Sequence, residues 1–167
     1  MASSPELCVK LLVDTKSNKV LFAEAGKEFV DFIFDLLTVP LGCVVKLMSN
    51  GGMHGSIGRL YESVDGFPTS YLQPNVCKSE LLQPKMRPVV DGGHVKATET
   101  YIVTDGLNVT PMTTISASTL INRFALHKDT ELAEKVVGFG MNEAMALLTA
   151  VMGSDTVLSD VYLAKKK

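Results

Sequence analysis

The sequence contains no tryptophan, and it has only three histidines and three cysteines among its 167 residues. Cys8, Cys43 and Cys77 are widely spaced, form no Cys-x-x-Cys pair, and do not combine with histidine at the spacing of a zinc site. An odd number of scattered cysteines indicates a chain without a disulfide framework, which favours a reducing compartment. We therefore expect no bound metal and a cytoplasmic protein.

Long hydrophobic runs and an excess of positive charge are also absent. Glu6 and Lys10 interrupt the first apolar stretch, and no stretch approaches the ~18 residues that a membrane-spanning helix needs. Lysine and arginine number 16 against 18 aspartates and glutamates, whereas nucleic-acid-binding domains concentrate basic residues on one surface. We expect no secretory signal, no membrane span and no nucleic-acid partner.

Cofactor motifs are missing as well. The sequence has no Gly-x-Gly-x-x-Gly fingerprint for a dinucleotide, no phosphate-binding P-loop and no Gly-x-Ser-x-Gly nucleophile turn. The glycine-rich segment 49–55 precedes a predicted helix, a position that can bind an anion, but its composition suits a plain connector better. We therefore expect no cofactor.

The sequence does contain a series of strand, turn and helix patterns that occurs in the same order in both halves. Asp14 closes a first apolar run and Asp105 closes a second, and the step between them equals the step from Tyr71 to Tyr162. Each half reads as strand, turn, strand, helices and a short terminal segment. This repetition predicts two units of similar architecture.

The predicted fold class is α+β, with two similar β-hairpin-plus-helices units packed into one compact body around an antiparallel sheet. A single domain would span residues 1–167, with pseudo-repeat halves at about 1–84 and 94–167. Residues 65–93 are punctuated by proline and glycine and are the best candidate for the connector. Because both halves are apolar, we expect them to bury their helices against one another, and the seam between them to hold a ligand.

In the first half, segments 6–14 and 19–25 have the composition of two strands of a hairpin, and residues 27–37 form an apolar helix. Residues 43–48 are a short apolar segment to which the pattern assigns no helix. A second helix begins near residue 56, where apolar side chains recur at helical spacing: Ile57, Leu60, Tyr61 and Val64.

In the second half, segments 100–104 and 107–110 flank the dipeptide Asp105-Gly106, which is typical of a tight type I′ hairpin turn. Three helices are expected after this hairpin: one capped by Ser116 or Ser118, a short one from Thr130 to about Gly138, and a last one over 141–152.

The candidate catalytic residues are His94, Tyr101 and Tyr71. His94 follows Gly92-Gly93, and a loop histidine can act as a general acid or base near neutral pH. Tyr101 begins the strand that follows, so it could share a cleft edge with His94. His54 also follows a Gly-Gly pair, and for both histidines the alternative is a solvated loop side chain without a chemical role.

Eight segments together resemble one plant family, the domain of unknown function 674. They occur in the family's order over essentially the whole chain: VKLLVD (9–14), VLFAEAGK (20–27), FVDF (29–32), LLTVPLG (36–42), LYESV (60–64), YLQPN (71–75), MTTIS (112–116) and LSDVYL (158–163). The resemblance implies a plant source, but it supplies no reaction and no catalytic residues. Many members also carry a longer central insert with Cys-x-x-Cys-like pairs, which this chain lacks between Pro84-Lys85 and Gly92-Gly93.

Two function classes are open from the sequence. In the first, the protein binds a small apolar metabolite of plant specialised metabolism, either as a carrier or as a cofactor-free enzyme of the cyclase or isomerase type that uses tyrosine or histidine for proton transfer. Mean hydropathy of +0.21, eight methionines and the missing cofactor motifs favour this class. The alternative is a non-catalytic adaptor that binds other proteins in signalling or stress responses.

Overall fold

The computed structural model describes residues 7–49, 55–86, 88, 91–125 and 129–164. The chain divides into two compact units, of which unit 1 comprises residues 1–34 with 92–167, and unit 2 comprises residues 35–91. The boundaries of these units differ from those of the predicted halves, because the first 34 residues group with the second half of the chain. The internal repeat itself stays a prediction.

Unit 1 is built on a five-stranded antiparallel sheet. Its strands are β1 (Leu7–Asp14), β2 (Lys19–Ala25), β3 (Tyr101–Thr104), β4 (Val109–Pro111) and β5 (Leu132–Phe139). The strand order is β4-β3-β2-β1-β5, and every neighbouring pair is antiparallel. Together with the helices, this sheet confirms the predicted α+β class.

The helices of both units follow in chain order: α1 (Lys27–Asp35), α2 (Leu41–Ser49), α3 (Ser56–Asp65), α4 (Lys78–Leu82), α5 (Thr114–Ala125), α6 (Met141–Val151) and α7 (Val157–Tyr162). Short 3₁₀ turns occur at Leu36–Thr38 and Thr69–Tyr71. Helices α2, α3 and α4 lie in unit 2, and α5, α6 and α7 lie in unit 1.

The main core of unit 1 lies on one face of the sheet. Alternate residues of β1 point to it, and the helices α1, α6 and α7 cover it. Its fully buried members include Val9, Leu11, Val13, Phe29, Val30, Leu147, Val157 and Leu158. The ring of Phe29 meets the ring of Phe139 edge to face at 5.0 Å, which joins α1 to the edge strand β5. On the opposite face of the sheet, Ile121 of α5 lies beside Phe22.

Both hairpin turns use one residue with positive φ at the end of the loop. Asn18 has φ of 52° before β2, and Leu107 has φ of 64° before β4. The Leu107 N–H donates to the Thr104 carbonyl at 2.9 Å, and the Thr104 N–H donates to the Asn108 carbonyl at 3.0 Å. The predicted type I′ turn is therefore wrong, because Leu107 rather than Asp105-Gly106 takes the left-handed conformation.

Two further predictions of secondary structure are wrong. The segment from Thr130 to about Gly138, predicted as a helix, is the strand β5, which pairs with β1 over its whole length. Residues 43–48, to which no helix was assigned, belong to α2. In β5 the tertiary pairing with β1 overrides the helix propensity of its leucine, alanine, glutamate and lysine residues.

A buried serine connects α7 to the sheet. The Ser159 hydroxyl donates to Asp105 Oδ2 at 2.8 Å and accepts from the Val20 N–H at 2.8 Å, while the Ser159 N–H donates to Asp105 Oδ1 at 2.7 Å. Asp14, the counterpart of Asp105 in the first half, accepts hydrogen bonds from the Ser17 hydroxyl and from the Glu131 N–H. Both aspartates thus anchor a distant segment at the end of a hairpin strand.

Unit 2 is held by a close approach of helices α2 and α4. A Cβ atom built on Gly42 would lie 2.5 Å from the Leu82 carbonyl oxygen, so only glycine allows this spacing without a backbone shift. The Cys43 thiol lies 3.6 Å from the Pro84 carbonyl oxygen, and the Lys78 ammonium donates to the Asp65 carbonyl at 2.7 Å. These contacts bring the three helices of unit 2 together.

Candidate functional site

An apolar cleft lies within unit 2, between helices α2, α3 and α4. Its volume is about 230 Å³. The residues that line it are Gly42 and Val45 of α2, Ile57, Leu60, Tyr61 and Val64 of α3, and Leu81 and Leu82 of α4. None of these residues carries a charge, so the cleft suits an uncharged ligand.

The floor and the rim of the cleft differ in exposure. Val45 and Leu82 are buried, with 1% and 7% of their surface exposed. Leu60 and Leu81 are 59% and 55% exposed, although both are large apolar residues. Because covering these leucines would remove apolar surface from water, a ligand in the cleft gains hydrophobic free energy.

Among the described residues that line the cleft, Tyr61 is the one whose side chain has a polar group. It is half-buried on α3. Within the described residues, its hydroxyl forms no hydrogen bond with another group of the protein. The phenol therefore keeps its capacity both to donate and to accept a hydrogen bond.

The three predicted site residues lie elsewhere, and none of them lines the cleft. His94 is exposed in unit 1. Its backbone N–H donates to Asp31 Oδ1 at 2.8 Å, and the centre of its ring lies 6.3 Å from that of the Phe34 ring. Tyr101 is 7% exposed in the core of unit 1, and its hydroxyl donates to the Lys96 carbonyl at 3.1 Å. Both are therefore held by contacts that serve the fold of unit 1.

Tyr71 lies in unit 2 and is 79% exposed, with its ring 6.3 Å from that of Phe67. The catalytic roles of His94, Tyr101 and Tyr71 stay predictions. His54 falls outside the described residues.

A second polar cluster surrounds Asp31 of α1. Its carboxylate forms an ion pair with Lys27. It also accepts hydrogen bonds from the backbone N–H groups of His94 and Val95, at 2.8 and 3.0 Å. Burial alone would raise the pKa of this carboxyl, but the hydrogen bonds from Lys27, His94 and Val95 outweigh burial and lower its pKa below 3.8. Lys27, His94 and Val95 belong to the same unit as Asp31, so these contacts stabilise the fold of unit 1. We call this group of four residues the Asp31 clasp.

No metal centre forms in the part of the chain that the structure describes. There, no group of three or more histidine, cysteine, aspartate or glutamate side chains comes together. The three cysteines are free thiols. Hydrogen bonds with Ser79 lower the pKa of Cys77, which is exposed. Nor is any described helix both long enough and apolar enough to span a bilayer.

Sequence reasoning did not select Tyr61 as a site residue, although the signal was present. Ile57, Leu60, Tyr61 and Val64 were recognised as one helical face, and all four line the cleft. The missing information was the partner of that face. Gly42, Leu81 and Leu82 come from two other helices, α2 and α4, and neither had been predicted as a helix, because residues 65–93 were interpreted as an irregular connector. The seam between the predicted halves was expected to hold the ligand, whereas this cleft lies within the first half.

Comparison with known proteins identifies a family but no characterised relative. No curated protein and no solved structure matches the chain. The family model described as "Protein of unknown function (DUF674)" matches residues 3–91 and 86–167, which together cover nearly the whole sequence. The resemblance inferred from the eight segments is therefore confirmed. The chain belongs to the DUF674 family of proteins of unknown function.

Proposed function

We propose that this protein binds a small apolar metabolite in the cleft between α2, α3 and α4. The observation that carries the proposal is the composition of the cleft, whose described lining comprises seven apolar residues or glycine and one phenol, that of Tyr61. Small-molecule sites are typically apolar concavities with a few polar groups that orient the ligand. The cleft has this composition within one small helical unit.

The volume of the cleft limits the size of the ligand. At about 230 Å³, it exceeds a cavity of roughly 150 Å³ that holds benzene, and it is smaller than the roughly 300–1,000 Å³ of sites for drug-sized ligands. By this comparison, a ligand of about ten carbon atoms fits. A compound of one or two fused rings meets this requirement.

The same proposal extends to cellular context and chemistry. The free thiols Cys8, Cys43 and Cys77 support a cytoplasmic location. A role in plant specialised metabolism is consistent with an apolar ligand of this size. If the protein is an enzyme, we propose a cofactor-independent cyclase or isomerase, in which Tyr61 is the phenol nearest to the bound ligand and orientation supplies part of the rate enhancement.

Binding is tested with tetralin, a fused-ring hydrocarbon with ten carbons, by ligand-observed NMR titration. We expect saturable binding to the wild-type protein. Leu60→Trp would fill the cleft and weaken this binding by roughly tenfold or more, because the indole occupies the space of the ligand. Leu47→Trp is the matched control, since Leu47 is 46% exposed on α2 but does not line the cleft. Absence of saturable binding to the wild-type protein, both of tetralin and of its ketone 1-tetralone, would rule out the proposed function.

A non-catalytic adaptor for other proteins is the second candidate. The observation that favours it is the set of large apolar side chains that unit 2 exposes, including Leu41, Leu47, Leu60, Tyr71, Leu81 and Met86. Tyr71→Ala distinguishes the two functions, because Tyr71 is exposed and lies outside the cleft lining. An adaptor surface that includes Tyr71 loses affinity for its protein partner in this variant, whereas tetralin binding is unchanged.

A further inference from the structure

The hydroxyl of Tyr61 restricts the chemistry of the ligand more than the volume of the cleft does. Tyr61 is half-buried on α3, and no group in the described part of the chain accepts its proton. The other described residues that line the cleft are glycine, valine, isoleucine and leucine. A ligand that carries a hydrogen-bond acceptor can engage the Tyr61 hydroxyl, whereas a hydrocarbon cannot.

From this arrangement we infer that the natural ligand is an uncharged ring compound of about ten carbons with one carbonyl oxygen, and that the Tyr61 hydroxyl donates a hydrogen bond to that oxygen. The inference rests on the proposed function and specifies the class of ligand. The apolar lining disfavours a carboxylate or an ammonium group, because none of the described lining residues carries an opposite charge that would compensate for its desolvation.

A single phenol also limits the number of polar groups on the ligand. Apart from Tyr61, the described residues that line the cleft would offer a second ligand oxygen only glycine and the side chains of valine, isoleucine and leucine. Buried polar atoms without a partner reduce affinity, so compounds with several hydroxyl groups are disfavoured. Tyr61 therefore acts as the specificity-determining residue of the cleft, selecting a monocarbonyl compound over the corresponding hydrocarbon.

The test compares tetralin with 1-tetralone, which has the same fused rings and one added carbonyl group. The wild-type protein is expected to bind 1-tetralone about 2- to 10-fold more tightly than tetralin, the range of one net hydrogen bond. Tyr61→Phe should abolish this preference and leave the affinity for tetralin unchanged or slightly higher. Tyr71→Phe removes a hydroxyl outside the cleft lining and should behave as wild type.

A spectroscopic measurement on the wild-type protein makes the test independent of any variant. 1-Tetralone labelled with ¹³C at its carbonyl absorbs in the infrared at a lower wavenumber when the oxygen accepts a hydrogen bond. We expect the bound ligand to show this shift relative to its spectrum in a hydrocarbon solvent, and Tyr61→Phe to remove it.

The possible outcomes separate the inference from the proposed function. Equal affinities of the wild-type protein for tetralin and 1-tetralone, with an unshifted carbonyl band, would overturn the role of Tyr61 and leave apolar binding intact. Failure of both compounds to bind the wild-type protein would overturn the proposed function itself. A preference for 1-tetralone that persists in Tyr61→Phe would show that a group other than the Tyr61 hydroxyl donates to the ligand carbonyl, and would overturn the inference.

Discussion

Two adjacent glycines differ in what a methyl group would meet, although their backbone conformations are similar. Gly92 has φ of 82° and Gly93 has φ of 72°, and both values lie in the region that favours glycine. A Cβ on Gly92 has no atom within 4 Å, whereas a Cβ on Gly93 would overlap Asp31 Oδ2 and Lys27 Nζ. The side chains could move only by breaking the clasp around Asp31.

This difference predicts unequal effects of two alanine substitutions. Gly92→Ala should lower the free energy of unfolding by about 1 kcal/mol, the usual cost of a positive φ for a residue with a side chain. Gly93→Ala has the same backbone strain and also disrupts the Asp31 hydrogen bonds. We therefore expect it to lower the free energy of unfolding by about 2–3 kcal/mol. Urea denaturation followed by circular dichroism measures both. Equal losses would show that Lys27 and Asp31 reposition freely.

At the scale of elements, Asp31 fastens α1 to the segment after Gly93, and the clasp should depend on pH. The pKa of this carboxyl is lowered in the folded protein, so it contributes stability above its unfolded pKa, near 3.8, and this contribution is lost as pH falls through the lower folded value. Asp31→Asn should therefore lower stability by roughly 1–2 kcal/mol at pH 7 and lose less on acidification than wild type.

Urea unfolding of both proteins at pH 7 and at pH 3 provides the measurement. The difference in stability between wild type and Asp31→Asn should shrink at the lower pH, because protonation of Asp31 removes the same charge as the substitution. A difference that stays constant between the two pH values would show that the carboxylate charge does not stabilise the clasp.

The elements that sequence reasoning located correctly are those whose signals are local. In β1 the polar residues Lys10 and Asp14 interrupt an apolar run, and turn residues separate this strand from the apolar run of β2. Helix α6 has apolar residues at helical spacing. Strand β5 could not be recognised in this way, because its identity depends on pairing with β1, more than a hundred residues away. Ala133, Val137 and Phe139 lie on the core face of the sheet, and this becomes evident only from their pairing with Val13, Val9 and Leu7 of β1.

The candidate site, too, was predictable only where its signal is local. The stripe of apolar residues on α3 was visible from its spacing, but a stripe does not reveal whether it meets a solid core, a cleft or solvent. That distinction depends on Gly42, whose missing side chain lets α2 approach α4. The segment containing Gly42 had no helical assignment, so the cleft could not be predicted from sequence.

At the scale of the whole molecule, the two units differ in how much apolar surface they bury. The core of unit 1 includes residues of β1, β2, β3 and several helices that are fully enclosed. Among the described residues of unit 2, only Val44, Val45 and Leu82 are buried, and α3 has no buried residue. Local unfolding free energy follows the extent of buried apolar contact, so unit 2 should open more readily.

Amide hydrogen exchange measured by mass spectrometry tests this difference and connects it to function. Peptides from β1 and β2 should exchange slowest, and peptides from α3 and α4 should exchange much faster. A ligand that binds only the closed form of unit 2 stabilises it by about 2.7 kcal/mol at a concentration 100 times its Kd. Saturating 1-tetralone should therefore slow exchange by up to about a hundredfold in α2, α3 and α4, and leave β1 unchanged. Protection that appeared instead in β1, with α3 unaffected, would place the ligand in unit 1 and contradict the assignment of the cleft.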